Sequence, residues 1–316
     1  MILQVPALDP QNPLGYLAAL GLLRILDEYA SRGKGSRPAL SFGEDGGAAA
    51  IRSELELEQV VAVVLEDAKE QAKSLAFQFA YGAEGARVPV TESGAIRDLK
   101  PAPATAREVL RIAAGATRRD ADLFGGLFSE LVQASTSGDT KPTALHFTAG
   151  QQEFLKMVEG LRVGIGPEDL LEALLGPWRS ESKLPSLSWD SSVSRLYALR
   201  ATDPSKEKRG SVAGANWLGF HALAFFPVAV SNGHLVTTRV EGGWKSSVFE
   251  WPTWSPFLEA PTVAALLRLA PDEWDAYQRA AMGVSMVYRS AILRSDQGGY
   301  GSFAPAEVVL PRRRRG

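Results

Sequence analysis

Apolar positions along this chain change their period several times, and each change marks an element. Leu14, Leu17, Leu20, Leu23 and Leu26 recur at close to helical spacing, which predicts a helix. Asn12 and Pro13 stand just before it as N-cap and first helical residue. Gly15, Ala18, Ala19 and Gly21 leave one side of that helix small enough for another element to approach closely. Ile2–Val5 reads as a short strand ended by Pro6, and a second short strand falls at Ala39–Phe42 after a basic, glycine-containing loop. Helical period and strong helix formers run from Leu55 to Phe79, and helices are predicted at Thr105–Ala114 and Asp120–Ala134. Gly82–Pro103 is loop-rich.

In the second half, Ala144–Phe147 is predicted as a brief strand. A helix follows it, capped by Thr148 with Gln151 as the partner in a capping box. Pro167–Leu175 reads as a short helix, and Leu184–Trp189 with Arg195–Arg200 as a hairpin. Ala215–Phe226 is an apolar helix stopped by Pro227. His234–Val240 and Ser247–Trp251 are predicted to pair around Glu241-Gly242-Gly243. Thr262–Leu269 and Asp272–Ala281 read as helices, and Ser302–Leu310 as a closing strand.

The sum is an α+β fold, mixed sheets with packed helices, without the regular strand–helix alternation of a doubly wound sheet. The polar turn cluster Thr136–Pro142 marks the best internal boundary. It divides the chain into residues 1–138, an α-rich subdomain, and residues 139–316, an α+β subdomain carrying a basic loop.

Composition narrows the chemistry. The 316 residues are 45% hydrophobic and contain no cysteine, which removes disulfides, thiolate nucleophiles, iron–sulfur clusters and thiolate zinc sites. The apolar run Leu14–Leu26 is too short to span a bilayer and the N-terminus lacks a basic leader, so the expectation is a soluble, cytoplasmic protein with no membrane contact. Net charge is -2, so bulk charge does not advertise a polyanion partner. Basic residues are instead local, at Arg118-Arg119, Lys206–Arg209 and Arg312–Arg315. A neutral protein binds nucleic acid through such a local face or as part of an assembly.

Catalytic and cofactor motifs are missing from the sequence pattern. His146, His221 and His234 are too far apart for a paired metal motif and read as core or interface residues. Val163–Asp169, Asp122–Phe128 and Asp296–Phe303 are glycine-rich, but none matches a nucleotide-phosphate loop. No cofactor and no metal are expected. Asp296–Phe303 follows Arg289 and Arg294 and contains Tyr300. It reads either as a plain surface loop or as a wrap around a nucleic-acid strand. Asp190 reads as a turn-starting residue, and the Arg312–Arg315 tail as a phosphate-binding arm or a solvated terminus. The most informative stretch is Leu187–Phe226. Its apolar start passes into a basic, turn-rich loop beside Tyr197 and Trp217, a combination better suited to a nucleic-acid backbone than to a small-molecule pocket.

Three segments carry a family resemblance. They are QVPALDPQNPLGYLAALGLLRIL at the N-terminus, HFTAGQQEFLKMV at His146–Val158, and SWDSSVSRLYALRATDPS at Ser188–Ser205 followed by GANWLGFHALAFFP at Gly214–Pro227. Together they resemble the effector-associated proteins of type I-U (I-G) CRISPR loci, and they cover about half the chain. The resemblance implies a non-catalytic, nucleic-acid-associated subunit of an RNA-guided surveillance (Cascade-like) complex in antiviral defence. Its partners would be guide RNA, target DNA and other effector subunits. On that reading Arg195, Arg200, Lys206, Lys208 and Arg209 contact phosphates, with Arg289 and Arg294 as further nucleic-acid contacts. Tyr197 and Trp217 stack on bases or support the loop, while Asn216 and Gln151 bond to sugar or base edges. Two alternatives stand beside it. One is a metal-independent endoribonuclease that processes guide RNA through His146, His221 or Tyr197. The other is a subunit that meets only proteins.

Overall fold

The structure, a computed structural model, describes residues 1–81, 87–91, 94–96, 98–148, 152–192, 210–294 and 300–312. The first half begins with β1 (Ile2–Val5) and α1 (Pro13–Ser31), then β2 (Ala39–Ser41), β3 (Ala49–Arg52) and α2 (Leu57–Glu70). The strand segments β4 (Phe79–Tyr81), β5 (Arg87–Thr91) and β6 (Gly94–Ala95) precede α3 (Pro103–Gly115) and α4 (Arg118–Phe124). The hairpin β7 (Phe128–Gln133) and β8 (Thr140–Pro142) leads to α5 (Phe154–Gly164), α6 (Pro167–Leu175) and α7 (Ala213–Ala222). The last third holds β9 (Val228–Ser231), β10 (His234–Thr237), β11 (Val240–Glu241), β12 (Val248–Trp254) and α8 (Ala260–Leu267). It ends with α9 (Ala276–Ala281), β13 (Val284–Arg294), β14 (Gly301–Phe303) and β15 (Glu307–Val308). The fold is α+β, with small antiparallel sheets around packed helices. No helix among the described residues is long and apolar enough to cross a membrane.

Helix α1 starts where the sequence places it. The Asn12 side chain accepts from the Leu14 amide at 3.1 Å, and Pro13 fills the first helical position, where a missing N–H costs nothing. Every residue from Leu14 to Leu23 is buried, so this helix is apolar all round and sits in the centre of the molecule. Helix α7 is buried along its whole length. The two form the most extensive contact between described helices. They meet at Gly21, where a Cβ would lie 1.7 Å from the Leu218 carbonyl oxygen. Only glycine permits that approach.

The core is continuous. Leu17 and Leu20 of α1, Val60 of α2, Leu170 of α6, Trp217 of α7 and Trp251 of β12 belong to one buried cluster. The boundary at 138/139 therefore does not separate two cores. Tryptophan N–H groups tie remote segments into it: Trp189 donates to the Leu145 carbonyl at 2.9 Å, Trp251 to Pro10 at 2.9 Å and Trp254 to Leu40 at 2.7 Å.

Several sequence expectations are revised. The helix expected over Asp120–Ala134 stops at Phe124, and residues from Phe128 form β7 instead. Gly125-Gly126 turns the chain there, with Gly126 passing so close to the Leu223 carbonyl that a Cβ would sit 2.2 Å from it. Ala144–Phe147 is not a strand: Ala144-Leu145 form a turn, and no strand ladder runs along the segment. The Ala144 amide donates to Thr237 Oγ1 at 2.8 Å, and the Phe147 carbonyl accepts from Gly301 at 3.1 Å. Helix α5 begins at Phe154 with Glu153 before it, since the Thr148 hydroxyl is taken by His146 at 2.7 Å. Leu184–Trp189 is not a strand; the Leu187 amide bonds to the Asn216 side chain at 2.8 Å. Its expected hairpin partner Arg195–Arg200 lies outside the described residues. Strand β10 pairs with β9, leaving only Val240–Glu241 to pair with Val248–Phe249.

Adding one methyl group at the α1–α7 crossing forces backbone to move, so Gly21→Ala is expected to lower stability by about 3 kcal/mol. Gly115→Ala, at an open helix end with nothing within 4 Å, should stay within about 0.5 kcal/mol of the parent. Denaturant midpoints of the two variants check this pair. A Gly21→Ala protein as stable as the parent would mean that the crossing is loose.

Candidate nucleic-acid interface

Four of the sequence-predicted site residues fall among the described ones, and the structure separates them. Trp217 is 0% exposed. It packs on Phe77, Phe220 and His221, with ring centroids 6.1, 6.2 and 4.6 Å away. It has no face to offer a base. Asn216 is also buried, and both ends of its amide are in use: Oδ1 accepts from Leu187, and Nδ2 donates to the Val212 carbonyl at 3.0 Å. Both residues build the core instead of a surface. Arg289 is half-exposed, but its guanidinium is paired with Glu250 on the neighbouring strand. Arg289 and Arg294 are five residues apart on β13, so they point to opposite sides of the sheet.

Arg195, Tyr197, Arg200, Lys206, Lys208, Arg209 and Gln151 lie outside the described residues. The flanks of the basic segment are held firmly. Before it, Asp190 Oδ1 accepts from Asn12 Nδ2 at 2.7 Å, at the start of α1. After it, the Ser211 amide donates to Ser182 at 2.9 Å, and Gly210 passes so close to the Ser180 carbonyl that a Cβ would sit 1.4 Å from it. Arg179 and Lys183, both exposed, flank this second anchor.

Arg294 is the centre of a different arrangement. It ends β13 opposite Gly301 of β14. Its Nη1 donates to the His146 carbonyl at 3.2 Å and its Nη2 to the Ala144 carbonyl at 2.7 Å. Phe147 lies on one side, 5.4 Å from the guanidinium carbon to the ring centroid. Trp244 lies on the other at 3.9 Å. Burial pulls the guanidinium down to about 10, so it remains a cation at neutral pH. Trp244 itself is 57% exposed. It is carried by the turn between β11 and β12, where Gly242 adopts φ +87° and the Ser246 amide donates to Gly243 at 3.0 Å. Tyr300, also exposed, is next to Gly301. The sequence reading missed Trp244. The signal available to it was a tryptophan in a glycine-rich, polar turn, with no apolar period to bury it.

Below this platform His146 is 2% exposed. Its Nε2 lies 3.0 Å from Asp98 Oδ1 and 2.7 Å from the Thr148 hydroxyl. Asp98 also accepts from the Phe154 amide at 3.1 Å, fixing the start of α5. A carboxylate only accepts, so Nε2 carries the hydrogen. Thr148, His146 and Asp98 superficially resemble a nucleophile–base–acid set. Catalysis by such a set uses the two opposite ring nitrogens, whereas here both partners crowd one. The cluster is a structural tie.

His221 is sealed in a second polar cluster. Its Nδ1 is 3.2 Å from Arg119 Nη2. Arg119 in turn pairs with Asp67 through Nη2 at 2.8 Å and with Glu28 at 2.7 Å. Burial, reinforced by the Arg119 and Arg24 charges, holds His221 well below the ordinary imidazole range, and burial also lowers His146. His234 sits exposed at the start of β10. Among the described residues no cluster of metal-ligating side chains occurs.

No protein-family model matches the chain, and no curated protein matches it.

The two buried rings set a pH dependence. Below about pH 6.5 the unfolded chain takes up protons that the native rings refuse. Their contribution is therefore complete above that pH and lost as pH falls through it. Melting temperature should drop between about pH 8 and about pH 5. The drop should be shallower in His221→Gln, whose amide oxygen still accepts from Arg119. Parallel pH profiles for the two proteins would contradict this assignment.

Proposed function

We propose that the chain is a non-catalytic, nucleic-acid-associated subunit of a type I CRISPR surveillance complex, holding guide RNA or target DNA alongside other effector subunits in the cytoplasm. The observation that carries this reading is the Arg294–Trp244 platform. An exposed indole is held over an arginine beside the bond from the Gly301 amide to the Phe147 carbonyl, two residues that belong to the sequence segments His146–Val158 and Asp296–Phe303. Both segments were marked in the sequence, one by the resemblance and one as a candidate wrap around a strand. By sequence, residues 193–209, which lie outside the described residues, add five basic side chains, and Arg179 and Lys183 are exposed beside the Ser180–Gly210 and Ser182–Ser211 contacts that follow them. Cation clusters and exposed aromatics are the two elements from which sequence-tolerant nucleic-acid grooves are built.

The endoribonuclease alternative has weaker support. His221 lies in the core and His146 is bonded on the one nitrogen that would have to shuttle a proton. Neither ring has an open edge toward a phosphodiester.

Co-expression with the products of neighbouring genes is expected to yield a complex containing this chain and a uniform short RNA. A lone, nucleic-acid-free protein would overturn the reading. In the assembled complex, Lys206→Ala, Lys208→Ala and Arg209→Ala together should weaken binding uniformly across sequences. They should lower the slope of log affinity on log salt by about 2, the value for three lost phosphate contacts on a single strand. An unchanged slope would remove the segment from the interface.

A further inference from the structure

We infer that Trp244, backed by Arg294, is a stacking platform for an unpaired nucleobase, so that this face takes single-stranded nucleic acid and not duplex. The inference rests on the nucleic-acid reading above and assigns it a ligand form and a place.

The other tryptophans are spent on the interior. Trp189, Trp217, Trp251 and Trp254 are fully buried, and Trp178 and Trp274 pack against the core. Trp244 alone presents more than half of its surface to solvent. An exposed indole usually samples several rotamers, and stacking then costs the entropy of fixing it. Trp244 avoids much of that cost, because the Arg294 guanidinium carbon lies over it at 3.9 Å from the ring centroid. Arg294 is itself immobilised by the Ala144 and His146 carbonyls and by Phe147. Behind Phe147 the support continues into the core, through Phe303 at 4.8 Å and from Phe303 to Phe249 at 5.6 Å.

The geometry explains the choice of ligand. One indole face is occupied by the cation, and the remaining exposed surface suits one planar ring. Bases inside a duplex are already stacked on both sides, so only an unpaired base can use it. Stacking on aromatic rings does not distinguish sequences, because every base has a π-face. The same chemistry is offered by single-stranded RNA and single-stranded DNA.

The test is fluorescence anisotropy of the full 316-residue chain with fluorescein-labelled oligouridine, oligothymidine and a mixed-sequence duplex. Trp244→Ala is expected to weaken single-strand binding by about 5- to 150-fold, the equivalent of one base–aromatic stack. Duplex affinity and the salt dependence should be unchanged, because no phosphate contact is removed. Trp244→Phe should recover most of the loss. Thermal melting of Trp244→Ala should match the parent, since the ring is largely outside the core. Loss on the RNA probe alone assigns the platform to RNA, loss on the DNA probe alone to DNA, and loss on both to any single strand. If the parent chain binds the probes and Trp244→Ala binds them equally well, the platform is wrong while the nucleic-acid reading stands. If the parent chain binds no probe at low salt, the nucleic-acid reading fails and the platform with it. If Trp244→Ala strips a co-purifying protein but leaves oligonucleotide affinity intact, the platform is a protein contact and the inference is overturned.

Discussion

The close crossing of α1 and α7 is the constraint on which the rest of the fold depends. Two helices buried on every side, α1 over Leu14–Leu23 and α7 along its whole length, have no solvent face there, so each must be surrounded. Their backbones approach at Gly21 and Leu218 until a methyl group no longer fits. That contact fixes what surrounds them: α2 and α8 beside α1, and α5 and α6 beside α7. It also settles the fate of the GANWLGFHAL stretch. Once α7 is central, Asn216, Trp217 and His221 are core residues, however chemically suggestive their side chains.

Several polar groups drawn inside by this arrangement are satisfied by long ties between remote segments. Asn216 holds the Leu187 backbone. Three tryptophan N–H groups reach Pro10, Leu40 and Leu145. Arg119 joins Asp67 of α2, Glu28 of α1 and His221 of α7. A buried ion cluster of this kind adds little net stability over apolar packing, but losing one member strands the others. Its contribution is to fix which helices are neighbours. Arg279 and Arg294 use the same device on backbone carbonyls: the buried Arg279 binds Pro271 and Val309, and Arg294 binds Ala144 and His146.

What was legible in the sequence follows from which signal dominated locally. β1, α1 and α6 could be read because an apolar period coincided with a cap or a proline. The 11-residue strand β13 could not. Its inward positions include Ser290 and its outward ones Leu293, so the alternation that identifies a strand is blurred. β7 was hidden for a different reason: nothing in Phe128–Gln133 competes with helix until the Gly125-Gly126 turn is pressed against Leu223. At the candidate interface, charge in the sequence pointed to segment 193–209 and to Arg294, but gave no way to separate Arg294 from Arg289. That distinction arises from strand pairing, which sets Glu250 opposite Arg289 and leaves Arg294 facing carbonyls and a ring.

The same contrast bears on why Trp244 is where it is. An arginine held by two backbone carbonyls is anchored without aromatic cover, and the six other tryptophans of this fold are buried or packed against its core. A cation–indole contact with one partner half-buried and the other exposed contributes about 0.5–2 kcal/mol, a small share of what holds the turn. The fold explains the guanidinium, because it closes the Ala144–Phe147 segment onto β13. It leaves the indole unexplained, since the turn between β11 and β12 is held by its own backbone bond and by the Ser247 carbonyl accepting from Ile292. A side chain that the architecture supports without requiring belongs to what the surface does.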